Sequence, residues 1–179
     1  MRKLLPRLVL PLAAALCFSA PASAARAPAS DDPNIVRSLE LRERYETPRD
    51  FGRSVIYIDS IGGHHIRHEA STVLWKDEGG QWQWSQVSEK VPGGLLPTER
   101  ALEHNRARTL EAEDAAQLDR LLADPGLYRD EIEKGAPRGI GAPSHVMEVI
   151  TPQGHRVISW DGRLLGLAGQ LADIALGGG

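Results

Sequence analysis

Between Ser71 and Ser88 the chain reads STVLWKDEGGQWQWSQVS, two runs in which apolar and polar residues alternate around Asp77-Glu78-Gly79-Gly80. Alternation with a period of two is the pattern of a half-buried strand, and a short glycine-containing link between two such runs predicts a hairpin. Register then decides which side chains share a face. An even-membered loop centred on Glu78 and Gly79 sets Trp75 opposite Trp82 and Val73 opposite Trp84, so that three of the four tryptophans lie together. An odd-membered loop splits Trp75 from the other two. The even register is the expectation. Three coplanar indoles form either a platform for a ligand or the wall of a core. The rest of the apolar content is mostly leucine, isoleucine, valine and alanine, so a core without these indoles would be thin, which favours the wall.

The remaining elements follow from the same kind of pattern. Arg53–Ile61 carries four consecutive β-favouring residues, Val55 to Ile58, which suits a strand covered on both faces and broken by Gly62-Gly63. Val146–Ile150 and His155–Trp160 flank Thr151-Pro152-Gln153-Gly154 and predict a second hairpin. Between Leu110 and Ala123, apolar residues at 112, 115, 118, 121 and 122 follow the 3.6-residue period of a helix, and Glu111, Glu113 and Asp114 suit its positive end. Leu164–Leu176 repeats that period, but Gly166 and Gly169 cost about 1 kcal/mol each in a helix interior, which moves the expected start to Ala168. Asn34 to Arg44 suggests a short helix capped by Asn34, and Thr98 to about His104 another, mostly polar one. The fold class expected is α+β: an antiparallel sheet built from two hairpins plus one further strand, one face covered by two amphipathic helices.

The first 24 residues stand apart. Arg2, Lys3 and Arg7 precede an apolar run from Leu8 to Phe18, and Ala22-Ser23-Ala24 completes the pattern of a secretory signal peptide cleaved after Ala24. The run is too short for a membrane span, and Leu16 before Cys17 does not suit lipidation. Residues 25–33 read as a flexible leader and 34–179 as a single α+β domain, periplasmic or extracellular and without a membrane anchor after cleavage. The only cysteine leaves with the signal, so the domain would rely on its core rather than on disulfides. Cleavage leaves 18 basic against 24 acidic residues, a formal charge of −6, which argues against nucleic acid and anionic lipid as partners.

Two kinds of chemistry are suggested. His64, His65 and His68, next to Glu69, are dense enough in imidazole to hold zinc or copper, although no HExxH pattern or cysteine completes a ligand set. Otherwise no cofactor is implied. Nucleophilic catalysis has no GxSxG elbow and no cysteine to support it, and a hydrolase would need catalytic groups scattered through the sequence. The stretch Glu131–Ser144, with two prolines and three glycines, is a loop long enough to contact a partner.

From about Leu110 to Leu176, the LDRLLADPGLY helix, the hairpin with its TPQGH turn and the terminal leucine helix are similar in order to small bacterial protease inhibitors of the emfourin type. The resemblance implies an inhibitor that binds a protein, and it carries over no functional residue. The function expected is therefore that of a secreted or periplasmic, non-enzymatic binding domain whose partner is a protein, with a protease as the candidate class. A hydrolase and a histidine-cluster metal protein are the alternatives.

Overall fold

A computed structural model describes residues 30–48, 51–63, 66–92, 99–129, 131–136 and 141–177 of the protein. The signal segment, most of the leader, His64 and His65 lie outside these residues. Helix α1 (Pro33–Arg44) precedes strands β1 (Val55–Gly62), β2 (Ile66–Lys76), β3 (Trp82–Pro92) and β4 (Ala101–Thr109). Then come helices α2 (Ala112–Ala123) and α3 (Gly126–Arg129), strands β5 (Ser144–Thr151) and β6 (Gly154–Asp161), and helix α4 (Gly166–Ala175). The fold is α+β, with a six-stranded antiparallel sheet in the order β4-β3-β2-β1-β5-β6. No described helix is long and apolar enough to cross a membrane.

The sheet has one strand more than the expected five, because the segment expected as a polar helix from Thr98 is strand β4 from Ala101 onward. Its sequence, ALEHNRART, has no apolar stripe with which a helix could dock. The free edge of β3 instead offers it a ladder from Gln83↔Thr109 to Lys90↔Ala101, broken only by a shift of register after Ser88. Tertiary pairing overrides a weak local preference here.

The hairpin between β2 and β3 corrects the expected register. Asp77 closes a five-residue link: its Oδ1 accepts the Gln81 N–H at 2.9 Å, and its own N–H donates to the Gln81 carbonyl at 3.0 Å. Gly80 supplies the left-handed conformation at φ 79°. Trp82 therefore faces Lys76, Trp84 faces Leu74 and Trp75 faces Gln83. Trp82 and Trp84 join one face of the sheet, and Trp75 turns to the other. The three indoles do not form one wall.

Each face has its own core. Trp82, Trp84, Ile56, Ile58 and Leu74 pack with Leu118, Leu121 and Leu122 of α2 and Leu171 and Ala175 of α4. On the opposite face Val55, Tyr57, Val73 and Trp75 pack with Ile35 of α1 and with Phe51. Helices thus lie on both sides of the sheet, and β1 alternates between the two cores, as its unbroken apolar run requires. The buried indoles also satisfy their N–H groups. Trp82 donates to Asp119 Oδ1 at 2.8 Å and Trp84 to the Ala175 carbonyl at 2.7 Å.

Two local features refine the helix ends. Asp32, rather than Asn34, caps α1, its Oδ1 accepting the N–H groups of Asn34 and Ile35, with Pro33 at the first helical position. Helix α4 keeps both glycines and starts at Gly166. A Cβ on Gly169 would lie 2.5 Å from the Leu164 carbonyl oxygen, so this residue is where the incoming chain crosses the helix.

Candidate functional site

Of the three histidines singled out by sequence, only His68 is among the described residues. It is exposed on β2, with Nδ1 3.1 Å from Glu103 Oε2, while Lys90 Nζ reaches the other oxygen of Glu103 at 3.0 Å. Burial pushes the Glu103 carboxyl up, but the hydrogen bonds from Lys90 and His68 outweigh it and hold it below its ordinary value. Among the described residues, no three histidine, cysteine or acidic side chains are grouped to hold a metal ion.

A cleft of about 630 Å³ opens beside the start of α1 and the ends of β1, β5 and β6, and it contains chemistry the sequence did not reveal. His145, which lines the cleft, has Nδ1 2.7 Å from the Oγ of Ser60 behind it, and its ring stacks on Trp160 with centroids 4.8 Å apart. Asp59, buried in the same cleft, is bonded to Arg37 of α1. Burial raises the Asp59 pKa to about 6, even though Arg37 opposes the shift. Serine and histidine thus meet, but the aspartate forms no relay with them. Ser60 and Asp59 are consecutive on β1 and point to opposite faces, so Asp59 turns to Arg37 and cannot orient the His145 ring. Ser60 and His145 are direct cross-strand partners, the ordinary setting for a structural side-chain pair.

Buried charge gathers under the far end of α1. Glu89 is fully buried and accepts from Arg44 Nη1 at 2.7 Å, from Tyr45 Oη at 2.9 Å and from Arg100. Burial alone would push this carboxyl up, but the bonds from Tyr45, Arg44 and Arg100 together hold it below its ordinary value. Arg100 precedes β4, so the cluster fastens the start of that strand to β3 and, through Arg44, to α1.

Strand β4 itself is the open edge of the sheet. Its described neighbour is β3, and all but two of its nine residues are exposed. The hydrogen bond from the Leu110 N–H to the Trp82 carbonyl, 2.9 Å, sets the phase of the ladder. In an antiparallel pair alternate residues turn both backbone groups to the same side. Arg106 and Arg108 therefore spend theirs on β3, while Asn105, Ala107 and Thr109 direct theirs outward. The side chains alternate across the faces as well. Arg106 lies opposite Gln86 and Arg108 opposite Trp84, which places both guanidinium groups on the face that carries α2 and α4. Arg108 lies 5.3 Å above the Trp84 ring, and Arg106 Nη2 is 3.4 Å from His104 Nδ1. Among the described residues, neither arginine has a carboxylate within ion-pair distance, whereas Arg67, Lys76 and Lys90 on β2 and β3 each have one. Below them runs a groove of about 640 Å³ between β4 and the end of α4, lined by Trp84, Gln86, Arg106 and Leu176.

The opposite edge is less open. Gly154 of β6 lies against the Tyr128 ring, and Arg156 Nη1 donates to the Leu127 carbonyl at 2.7 Å, so α3 flanks that strand. The described part of the Glu131–Ser144 loop is tied down too. Gly135 N–H donates to the Arg163 carbonyl at 2.8 Å, and Leu165 N–H donates to the Glu133 carbonyl at 3.0 Å.

Comparison with known proteins finds no family model, no curated protein and no solved structure that matches this chain.

Proposed function

We propose that this chain is a non-enzymatic binding domain, exported to the periplasm or the medium, that docks a protein partner along the outer edge of β4. The observation that carries the reading is the edge itself: nine residues long, exposed, and with an outward row of backbone donors and acceptors. An uncovered edge is normally a hazard, and proteins blunt it with short strands, proline, bulges or charge. This strand has a bulge beside Ser88 and two arginines, yet the stretch from Asn105 to Thr109 remains regular. A partner that adds a strand there gains main-chain hydrogen bonds without rearranging the domain. A protease is the partner class suggested by the resemblance of the second half of the chain to emfourin-type inhibitors.

The test uses Ala107→Pro, which removes one outward N–H while leaving the bonds of Arg106 and Arg108 to β3. The purified mature protein and the variant are immobilised and exposed to the native periplasm or medium, and retained proteins are assayed for protease activity. A protein held by the parent chain and released by an equally stable variant, with its protease activity inhibited in the complex, is the expected result. Equal retention by the variant, or turnover of a hydrolase substrate panel by the chain itself, would overturn the reading.

A further inference from the structure

From the placement of Arg106 and Arg108 we infer the chemistry of the docked segment: an extended stretch of the partner with acidic side chains at alternate positions, Asp/Glu-x-Asp/Glu. This rests on the reading of β4 as the docking edge and specifies what that edge selects.

The geometry follows from the ladder. A strand added outside β4 makes its backbone bonds with Asn105, Ala107 and Thr109, the residues whose groups point outward. Arg106 and Arg108 then fall in the non-hydrogen-bonded pairs of the new ladder, where opposing side chains approach most closely, with Cα atoms about 4.5 Å apart. Both project to the same face, two residues apart, so the residues opposite them are also two apart and on that face. Opposite charges at such positions stabilise a pair and like charges destabilise it. On the other face β4 presents Asn105, Ala107 and Thr109, small neutral side chains that tolerate most residues between the acidic ones.

Two considerations favour an acidic occupant over a second copy of this chain. Antiparallel pairing of two β4 edges with their arginine faces together sets Arg106 against Arg106 or Arg108, which is repulsive. The two guanidinium groups have no carboxylate of their own among the described residues, so a partner need not break an ion pair to reach them. The net charge of the domain is acidic, but charges further than about 8 Å away are largely screened at physiological ionic strength, and the local row decides.

Three nine-residue synthetic peptides of β-favouring host sequence test this against the mature protein, by fluorescence anisotropy at low and high salt. One carries two aspartates at alternate positions, one carries the same aspartates adjacent, and one carries two lysines at alternate positions. The alternating acidic peptide is expected to bind best, roughly threefold tighter than the adjacent isomer, which sets only one aspartate opposite an arginine, if each well-placed charge pair contributes about 0.7 kcal/mol, and to weaken with salt. The double variant Arg106→Glu/Arg108→Glu is expected to reverse the preference towards the lysine peptide. If the adjacent or lysine peptide binds the parent equally well, and Ala107→Pro abolishes that binding, the acidic class fails while docking at β4 stands. If Ala107→Pro binds the acidic peptide as well as the parent does, or no peptide binds at millimolar concentration, both fail.

Discussion

Two buried charges decide how this sheet responds to its surroundings, and they act in different ways. Arg42 is fully buried beneath α1, where it donates to the Pro48 carbonyl at 2.9 Å and to Ser85 Oγ at 2.7 Å. Burial lowers its pKa to about 10, partly offset by Tyr57. Its bonds go to hydroxyl and carbonyl oxygens, so it acts as a post between helix and sheet. Arg42→Ala is expected to lower unfolding stability by about 2–5 kcal/mol through the cavity and the orphaned acceptors, and Arg42→Met by less, as read from urea midpoints. Asp59 shows the opposite sign of linkage from a surface carboxylate. Its folded pKa of about 6 lies above the ordinary 3.8, so the folded state binds more protons than the unfolded state between those values. This residue therefore makes stability fall as pH rises from about 4 to about 6. Comparing the urea midpoints of the parent and Asp59→Asn across that range should show a difference that changes through the window and is flat above it. A constant difference would mean that Asp59 is not held in its protonated form.

At the level of elements, α4 offers a test in which two principles disagree. Helix propensity alone makes Gly169→Ala stabilising by about 1 kcal/mol, whereas the Leu164 carbonyl 2.5 Å from the new Cβ makes it destabilising. A fall in melting temperature is the expected outcome. The same conflict shows what the sequence could reveal. Strong periodicity located α2, α4, the β5–β6 hairpin and the tryptophan hairpin, because each buries its own apolar stripe. It misplaced Trp75, because one carboxylate, Asp77, closes an odd-membered loop and a one-residue change of register moves every side chain to the other face. It also missed β4, whose polar sequence becomes a strand only when β3 presents an edge. The contacts of the cleft were equally hidden, since Ser60 and His145 are 85 residues apart. By contrast, the alternation of Arg106 and Arg108 was present in the sequence and needed only the strand assignment to acquire a meaning.

For the whole molecule, the arrangement is a sheet with a core on each face, flanked by α3 at the start of β6 and open along β4. Charge is distributed unevenly over this frame. Carboxylates under α1 are matched by Arg37, Arg44 and Arg100, whereas among the described residues the arginines of β4 have no carboxylate within ion-pair distance. The central claim is that β4 completes its ladder only when a partner is bound, and residue-resolved amide exchange from 101 to 109 tests it most directly. In the free protein the Arg106 and Arg108 amides should be slow and those of Asn105 and Ala107 fast; adding the captured partner should slow Asn105 and Ala107 as well. Outward amides that are already slow in the free protein, or that stay fast in the complex, would contradict it.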